Sequence, residues 1–192
     1  MILDKVSLQK EYFPDLILVS GTGRNVGKTT FACSLISYLA RIGNVTAIKI
    51  SPHKHTISND SIIFKQYSDY LIIEEKDFHT SKDTSRMLRA GAEKVYYIQS
   101  GDESLQYVLK DLHEISDRNS PIVCESGALS SVLIPGLFFI KSHSGILRCT
   151  QSALGCEDKV GKWISINGNL HNTKSKLIDF HRNNSHCRFD KV

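Results

Sequence analysis

The sequence has no Cys-x-x-Cys pair, no uninterrupted apolar run of membrane-spanning length, no long block of Lys and Arg, and no internal repeat or low-complexity segment. Each absence removes a class of function. The five cysteines (Cys33, Cys124, Cys149, Cys156 and Cys187) are an odd number without paired spacing. That predicts reduced thiols in a cytoplasmic protein rather than a disulfide framework, with Cys33 and Cys124 as small core residues. A zinc site drawn from Cys149, Cys156, His186 and Cys187 would fit no usual ligand spacing. Without a long apolar run no membrane crossing is expected. The opening MILDKVSLQKEYFPD lacks the basic start and apolar core of a secretory leader. Lys and Arg total 24 against 20 Asp and Glu, a net charge of +4. So small an excess suits a phosphate-bearing ligand and gives no reason to expect nucleic acid.

What is present is a globular chain. A hydrophobic content of 41% over 192 residues supports a buried core and predicts one domain, residues 1–192. Its most informative stretch is GTGRNVGKTT, Gly21 to Thr30. A phosphate-binding loop is usually written G-x-x-x-x-G-K-[ST]. Counting back from Gly27-Lys28-Thr29, the leading glycine slot falls on Thr22, with Gly21 and Gly23 on either side. The surroundings nevertheless meet the physical requirement. The strand-forming run Asp15 to Ser20 precedes the loop, and a helix with Phe31, Leu35, Ile36 and Leu39 on one face follows it, stopping at Gly43. A helix start reached through a glycine turn offers free N–H groups and a positive dipole end to an anion. Gly23, Arg24, Asn25, Val26, Gly27, Lys28, Thr29 and Thr30 are therefore the expected phosphate cradle. Lys28 is placed to reach the β- and γ-phosphates, and the Thr29 hydroxyl suits Mg²⁺.

Further strands are expected at 44–50, 94–100, 121–126, 136–141 and 162–167. Residues 61–75 read as a hairpin with Ile62, Phe64, Tyr70 and Ile72 at alternating positions. Helices are expected at 83–92, at 102–115 (Leu105, Val108, Leu109 and Leu112 inward) and from Asn172, before a polar, loose tail over 182–192. Strands alternating with helices from end to end imply a mainly parallel sheet covered on both faces, with ligands at the carboxyl ends of its strands.

Glu125 closes an apolar strand at that edge, where a nucleotide fold needs a carboxylate near Mg²⁺. Lys49 ends the second strand on the same edge, free to reach solvent, a phosphate or a carboxylate. His53 follows in a loop, and Lys82, Asp83, Arg86 and Arg89 mark the start and face of the 83–92 helix. Arg86 and Arg89 share that face, as a phosphate-binding pair or as solvated charge.

The segments AIKISPHKH and KDTSRMLRAGA, taken with the loop, resemble the molybdopterin-guanine dinucleotide biosynthesis protein B family. The resemblance spans roughly the first half of the chain and touches Gly27, Lys28, Thr29, Lys49, His53, Lys82 and Asp83. It implies an α/β P-loop NTPase three-layer sandwich of a dimerising type, to which the hairpin would be an insertion. It also implies GTP and Mg²⁺ binding, weak hydrolysis, and a role assisting nucleotide attachment to a pterin cofactor, alone or with a partner biosynthetic protein. The loop spelling GT…VGKT is also similar to dethiobiotin synthetase, as CESGAL is, loosely, to that enzyme's glutamate loop. There, the resemblance implies an ATP-dependent ligase or kinase in which Lys49 and Glu125 contact an acid substrate. No N-K-x-D guanine-recognition motif occurs, so GTP and ATP both stay open. The expected catalytic set is Lys28, Lys49 and Glu125. Thr29 and Glu125 are the expected metal ligands, and His53, Lys82, Asp83 and Arg86 are expected to face the second ligand or the partner in a homodimer.

Overall fold

The apolar run before the glycine loop becomes a central strand of a mixed sheet. The computed structural model describes residues 10–53, 57, 60–116, 120–142, 145–149 and 164–166. In chain order the elements are β1 (Glu11–Gly21), α1 (Lys28–Leu39), β2 (Thr46–Ser51), β3 (Ile62–Gln66), β4 (Tyr70–Glu74), α2 (Asp83–Arg89) and β5 (Lys94–Ser100). There follow α3 (Leu105–Ile115), β6 (Ile122–Glu125), β7 (Leu133–Ser142), β8 (Gly145–Cys149) and β9 (Ile164–Ile166). The strand order is β3-β4-β5-β2-β6-β1-β7-β8-β9. The five strands from β5 to β7 are mutually parallel, and those outside them pair antiparallel.

Both faces of the parallel block are covered, which is why β1 reads as a continuous apolar run instead of an alternating one. Ile17 and Val19 pack with Phe31, Leu35, Ile36 and Leu39 of α1 and with Met87 and Leu88 of α2. Leu16 and Leu18 face the other way, with Leu105, Val108 and Leu112 of α3. The result is an α/β arrangement of three layers. After Leu39 the chain leaves the helix, and the Gly43 N–H donates to the Leu39 carbonyl. Gly91 takes φ 104° just past α2, the left-handed turn that glycine allows.

The expected end-to-end alternation of strand and helix does not hold. β6 connects to β7 through a short 3-10 turn, Leu129–Ser131, with no α-helix, and antiparallel pairs extend the sheet on both sides. β7 begins at Leu133, ahead of the expected 136, and β8 was not expected. β9 lies within the expected 162–167. The helix expected from Asn172, the tail 182–192, and Cys156, His186 and Cys187 lie outside the described residues. Among the described residues no helix is long and apolar enough to cross a membrane.

The hairpin is present as the antiparallel pair β3–β4. Tyr70 and Ile72 are buried in their own sheet's core on the α3 side, because β4 pairs with β5. The apolar residues Ile62, Ile63 and Phe64 of β3 are exposed, as is Tyr67 at the turn. A buried acid fastens the arrangement. Asp111 of α3 accepts hydrogen bonds from Lys65 Nζ at 2.6 Å and from the Tyr70 hydroxyl at 2.7 Å. Burial, followed by that contact with Asp111, pushes the Tyr70 phenol well above its ordinary range.

Candidate functional site

The loop explains its own spelling. A Cβ on residue 21 would lie 2.9 Å from the Lys141 carbonyl oxygen and 2.9 Å from Lys28 Cγ and Cδ. The stem of Lys28 crosses Gly21, and the Thr22 N–H donates to that same Lys141 carbonyl at 3.1 Å. The position that tolerates no side chain is therefore Gly21, one residue before the slot that spacing assigns. Gly23 has room for a Cβ, the nearest atom being Val26 Cγ1 at 4.0 Å. Its carbonyl accepts a hydrogen bond from Lys28 Nζ at 2.6 Å. Asn25 and Gly27 both adopt positive φ, 56° and 89°, and buried Val26 anchors the turn between them. α1 then starts with no side-chain cap and no acid in its first turn. Its leading N–H groups are left for a ligand to satisfy.

Directly behind the loop the sheet delivers two charges. β6 lies between β1 and β2, and the parallel register sets Lys49 opposite Glu125 and Val19 opposite Glu125. Lys49 and Glu125 therefore point to the α1 side, together with Val19. Thr29 Oγ1 donates to Glu125 Oε2 at 2.8 Å, and Lys49 Nζ donates to Glu125 Oε1 at 2.5 Å. Lys49 Nζ also lies 3.1 Å from Asp83 Oδ2, and Arg86 pairs with Asp83 at 3.3 Å. Arg86 closes the chain of contacts by donating to Thr30 Oγ1 at 3.0 Å.

Glu125 is only 2% exposed, and a buried carboxylate of this kind requires compensation. Lys49 and the Thr29 hydroxyl supply it. Burial alone would raise the Asp83 carboxyl, but the Lys49 ammonium, a Thr29 hydrogen bond and Arg86 together hold it below its ordinary range. Asp83 therefore stays ionised beside the cleft.

The cleft over this cluster has a volume of about 710 Å³ and is lined by the loop, Lys49, Asp83, Arg86, Glu125 and the segment from Ile50 to His53. Of the residues expected from sequence, Lys28, Thr29, Thr30, Lys49, Asp83, Arg86 and Glu125 converge here, with Arg24, Asn25, Gly27 and His53 at the same cleft. Arg24 and His53 meet at 3.4 Å. Lys82 stands apart. It lines a small neighbouring cavity, 3.9 Å from Glu75.

For a divalent cation the fitting donors are the Thr29 hydroxyl and the Glu125 carboxylate, with Asp83 nearby, all hard oxygens. Among the described residues no cluster of three or more His, Cys, Asp or Glu could hold a metal ion by itself. Mg²⁺ needs no such cage, because it is typically held by one or two protein oxygens plus phosphate and water.

Glu75 was not singled out in the sequence. It is buried and accepts from Thr84 Oγ1, Ser61 Oγ and the Asp77 N–H, each at 3.0 Å. These bonds fix the segment that carries Asp83 into the cleft. The available signal was strand alternation, which sets Glu75 on the same side as buried Ile73.

No protein-family model, curated protein or solved structure matches the chain.

Proposed function

We propose that this protein binds a nucleoside triphosphate together with Mg²⁺ in the cleft over α1, as a P-loop protein of slow or partner-stimulated hydrolytic activity. The observation that carries the reading is the Thr29–Glu125 hydrogen bond beneath an uncapped helix start. It pairs the two oxygens suited to Mg²⁺ at the point where a β/γ-phosphate would meet Lys28. Bound Mg²⁺ would neutralise phosphate charge and orient the β- and γ-oxygens. The chain's own residues do the rest. The first-turn N–H groups and Lys28 bind the phosphates. Lys49 holds Glu125 and Asp83 in place through its two ion pairs, and Arg86 adds positive charge at the Thr30 side. No described side chain is arranged as a base for water, which favours catalysis by positioning and charge neutralisation at a low rate.

The resemblance in AIKISPHKH and KDTSRMLRAGA extends the proposal to an adaptor or weak NTPase in the biosynthesis of molybdopterin guanine dinucleotide. Its second ligand would be a pterin cofactor or a partner biosynthetic protein. GTP and ATP are both candidates for the nucleotide.

Titration with labelled GTP and ATP, with and without Mg²⁺, followed by phosphate-release assays, tests the reading. Mg²⁺-enhanced binding with slow turnover is expected, and binding of neither nucleotide contradicts it. Turnover that requires a small carboxylic acid would instead favour an ATP-dependent ligase or kinase in which that acid displaces Asp83 from Lys49.

A further inference from the structure

A second concave surface lies on the outer side of the same helices. On α1 and its C-terminal extension, Thr30, Cys33, Ser34, Ser37, Tyr38 and Arg41 fall three and four residues apart, a single helical stripe. Arg86, Arg89 and Ala90 form the facing stripe of α2. Between them is a groove of about 620 Å³, within the range of small-molecule sites. None of the residues lining it is acidic, and three are arginines.

Two of the three charges meet no carboxylate among the described residues. Arg89 donates to the Phe78 and Thr80 carbonyls, which orient the guanidinium without neutralising it. Arg41 makes no ion pair among the described residues. Arg86 alone meets a carboxylate, Asp83. A concave surface with three guanidinium groups, several hydroxyls and no acid attracts a multiply charged anion.

Thr30 and Arg86 line both this groove and the cleft over the loop. Through its two nitrogens Arg86 holds Thr30 on one side and Asp83 on the other. We propose that the α1–α2 groove binds a second, phosphate-bearing small molecule, whose anionic group is held by Arg41 and Arg89 and approaches the nucleotide cleft at Arg86. This deepens the nucleotide reading by locating its second ligand, although the groove itself is testable without it.

Inorganic pyrophosphate is the probe, titrated by calorimetry into Lys28→Ala, where binding at the glycine loop is suppressed. A pyrophosphate site is expected to remain there. Its affinity should fall about tenfold or more when Arg41→Gln and Arg89→Gln are added, as loss of two charge-assisted contacts implies. Arg41→Gln alone should give a smaller loss in the same direction, which guards against loosening of the Phe78–Thr80 segment by the Arg89 change. In the otherwise native chain Arg41→Gln/Arg89→Gln should leave nucleotide affinity unchanged. Loss of all pyrophosphate binding in Lys28→Ala alone overturns the groove and leaves the loop reading intact. Unaltered pyrophosphate binding after the arginine changes also overturns it. So does a short single-stranded RNA that occupies the groove more tightly than pyrophosphate. Nucleotide binding unaffected by Lys28→Ala would count against the loop reading and not against the groove.

Discussion

Thr29 and Glu125, 96 residues apart in the chain, are joined by a 2.8 Å hydrogen bond from the threonine hydroxyl to the buried carboxylate. α1 supplies one partner from its first turn and β6 the other from its last residue. Their meeting follows from β6 lying next to β1 in the sheet.

Replacing Glu125 with Gln keeps the size of this side chain and removes its charge. Nucleotide affinity in the presence of Mg²⁺ should fall about tenfold or more, the scale of a lost contact to a charged group. Affinity without Mg²⁺ should fall much less. Titrations of the folded variant with and without the metal measure the difference, and equal losses under both conditions would argue against a metal role.

Much of this half of the site was legible. Phe31, Leu35, Ile36 and Leu39 marked the buried face of α1, and all four are buried. A hydrophobic run ending in an acid marked Glu125. What local pattern could not supply was the identity of each neighbour. Lys49 was readable as a charge at a strand end, but its ion pairs with Glu125 and Asp83 depend on strand order and on the path into α2. Alternation put Tyr70 and Ile72 on one face without saying that α3 would cover it. Asp111 occupies an inward position on α3 that helical period alone would reserve for an apolar residue. Its partners Lys65 and Tyr70 come from a hairpin more than 40 residues earlier. β8 was missed because GILRC is short and lacks an alternating pattern.

The close passage of Lys28 over Gly21 separates two glycines that motif spacing treats alike. Gly21→Ala forces an overlap with Lys28 and the Lys141 carbonyl. Nucleotide affinity should drop on the order of tenfold, in line with an overpacking cost of ~1–3 kcal/mol. Gly23→Ala meets nothing closer than 4.0 Å and should bind almost as the native protein does. Parallel titrations of the two variants check this, and the reverse order of effects would contradict the geometry.

Glu75 ties the Asp83 segment to the sheet in a pH-dependent way. Burial would raise its carboxyl, but the Asp77 N–H, Thr84, Ser61 and Lys82 outweigh burial and hold it below the ordinary value. Its stabilising contribution is therefore complete above the unfolded-state pKa and is lost as pH falls through the lower folded-state value. Glu75→Gln should cost about 1–3 kcal/mol at neutral pH. The gap from the native protein should narrow as the pH is lowered below about 4. Urea unfolding at neutral and acid pH measures it, and a gap that does not change with pH would show the linkage to be absent.

The strand β3 carries Ile62, Ile63 and Phe64 at 52%, 49% and 38% exposure and, among the described residues, is the last strand on its side of the sheet. Such an edge is prone to pairing with another chain. A homodimer through this edge is expected, burying on the order of 1,200–2,000 Å² in total. Light scattering over a concentration series, with and without nucleotide, should report it, and Ile63→Lys should weaken it. A strict monomer under all conditions would refute the dimer.

The most direct measurement concerns Lys28. Its ammonium donates to the Gly23 carbonyl at the exposed mouth of the loop and contributes charge to the cleft, not volume to the core. Lys28→Ala should melt within about 0.5 kcal/mol of the native protein, as expected for a surface substitution. Its affinity for a labelled triphosphate should be lower by about tenfold to hundredfold, the equivalent of one or two charge-assisted hydrogen bonds. A folded Lys28→Ala variant that binds GTP and ATP as tightly as the native chain would contradict the phosphate-loop account.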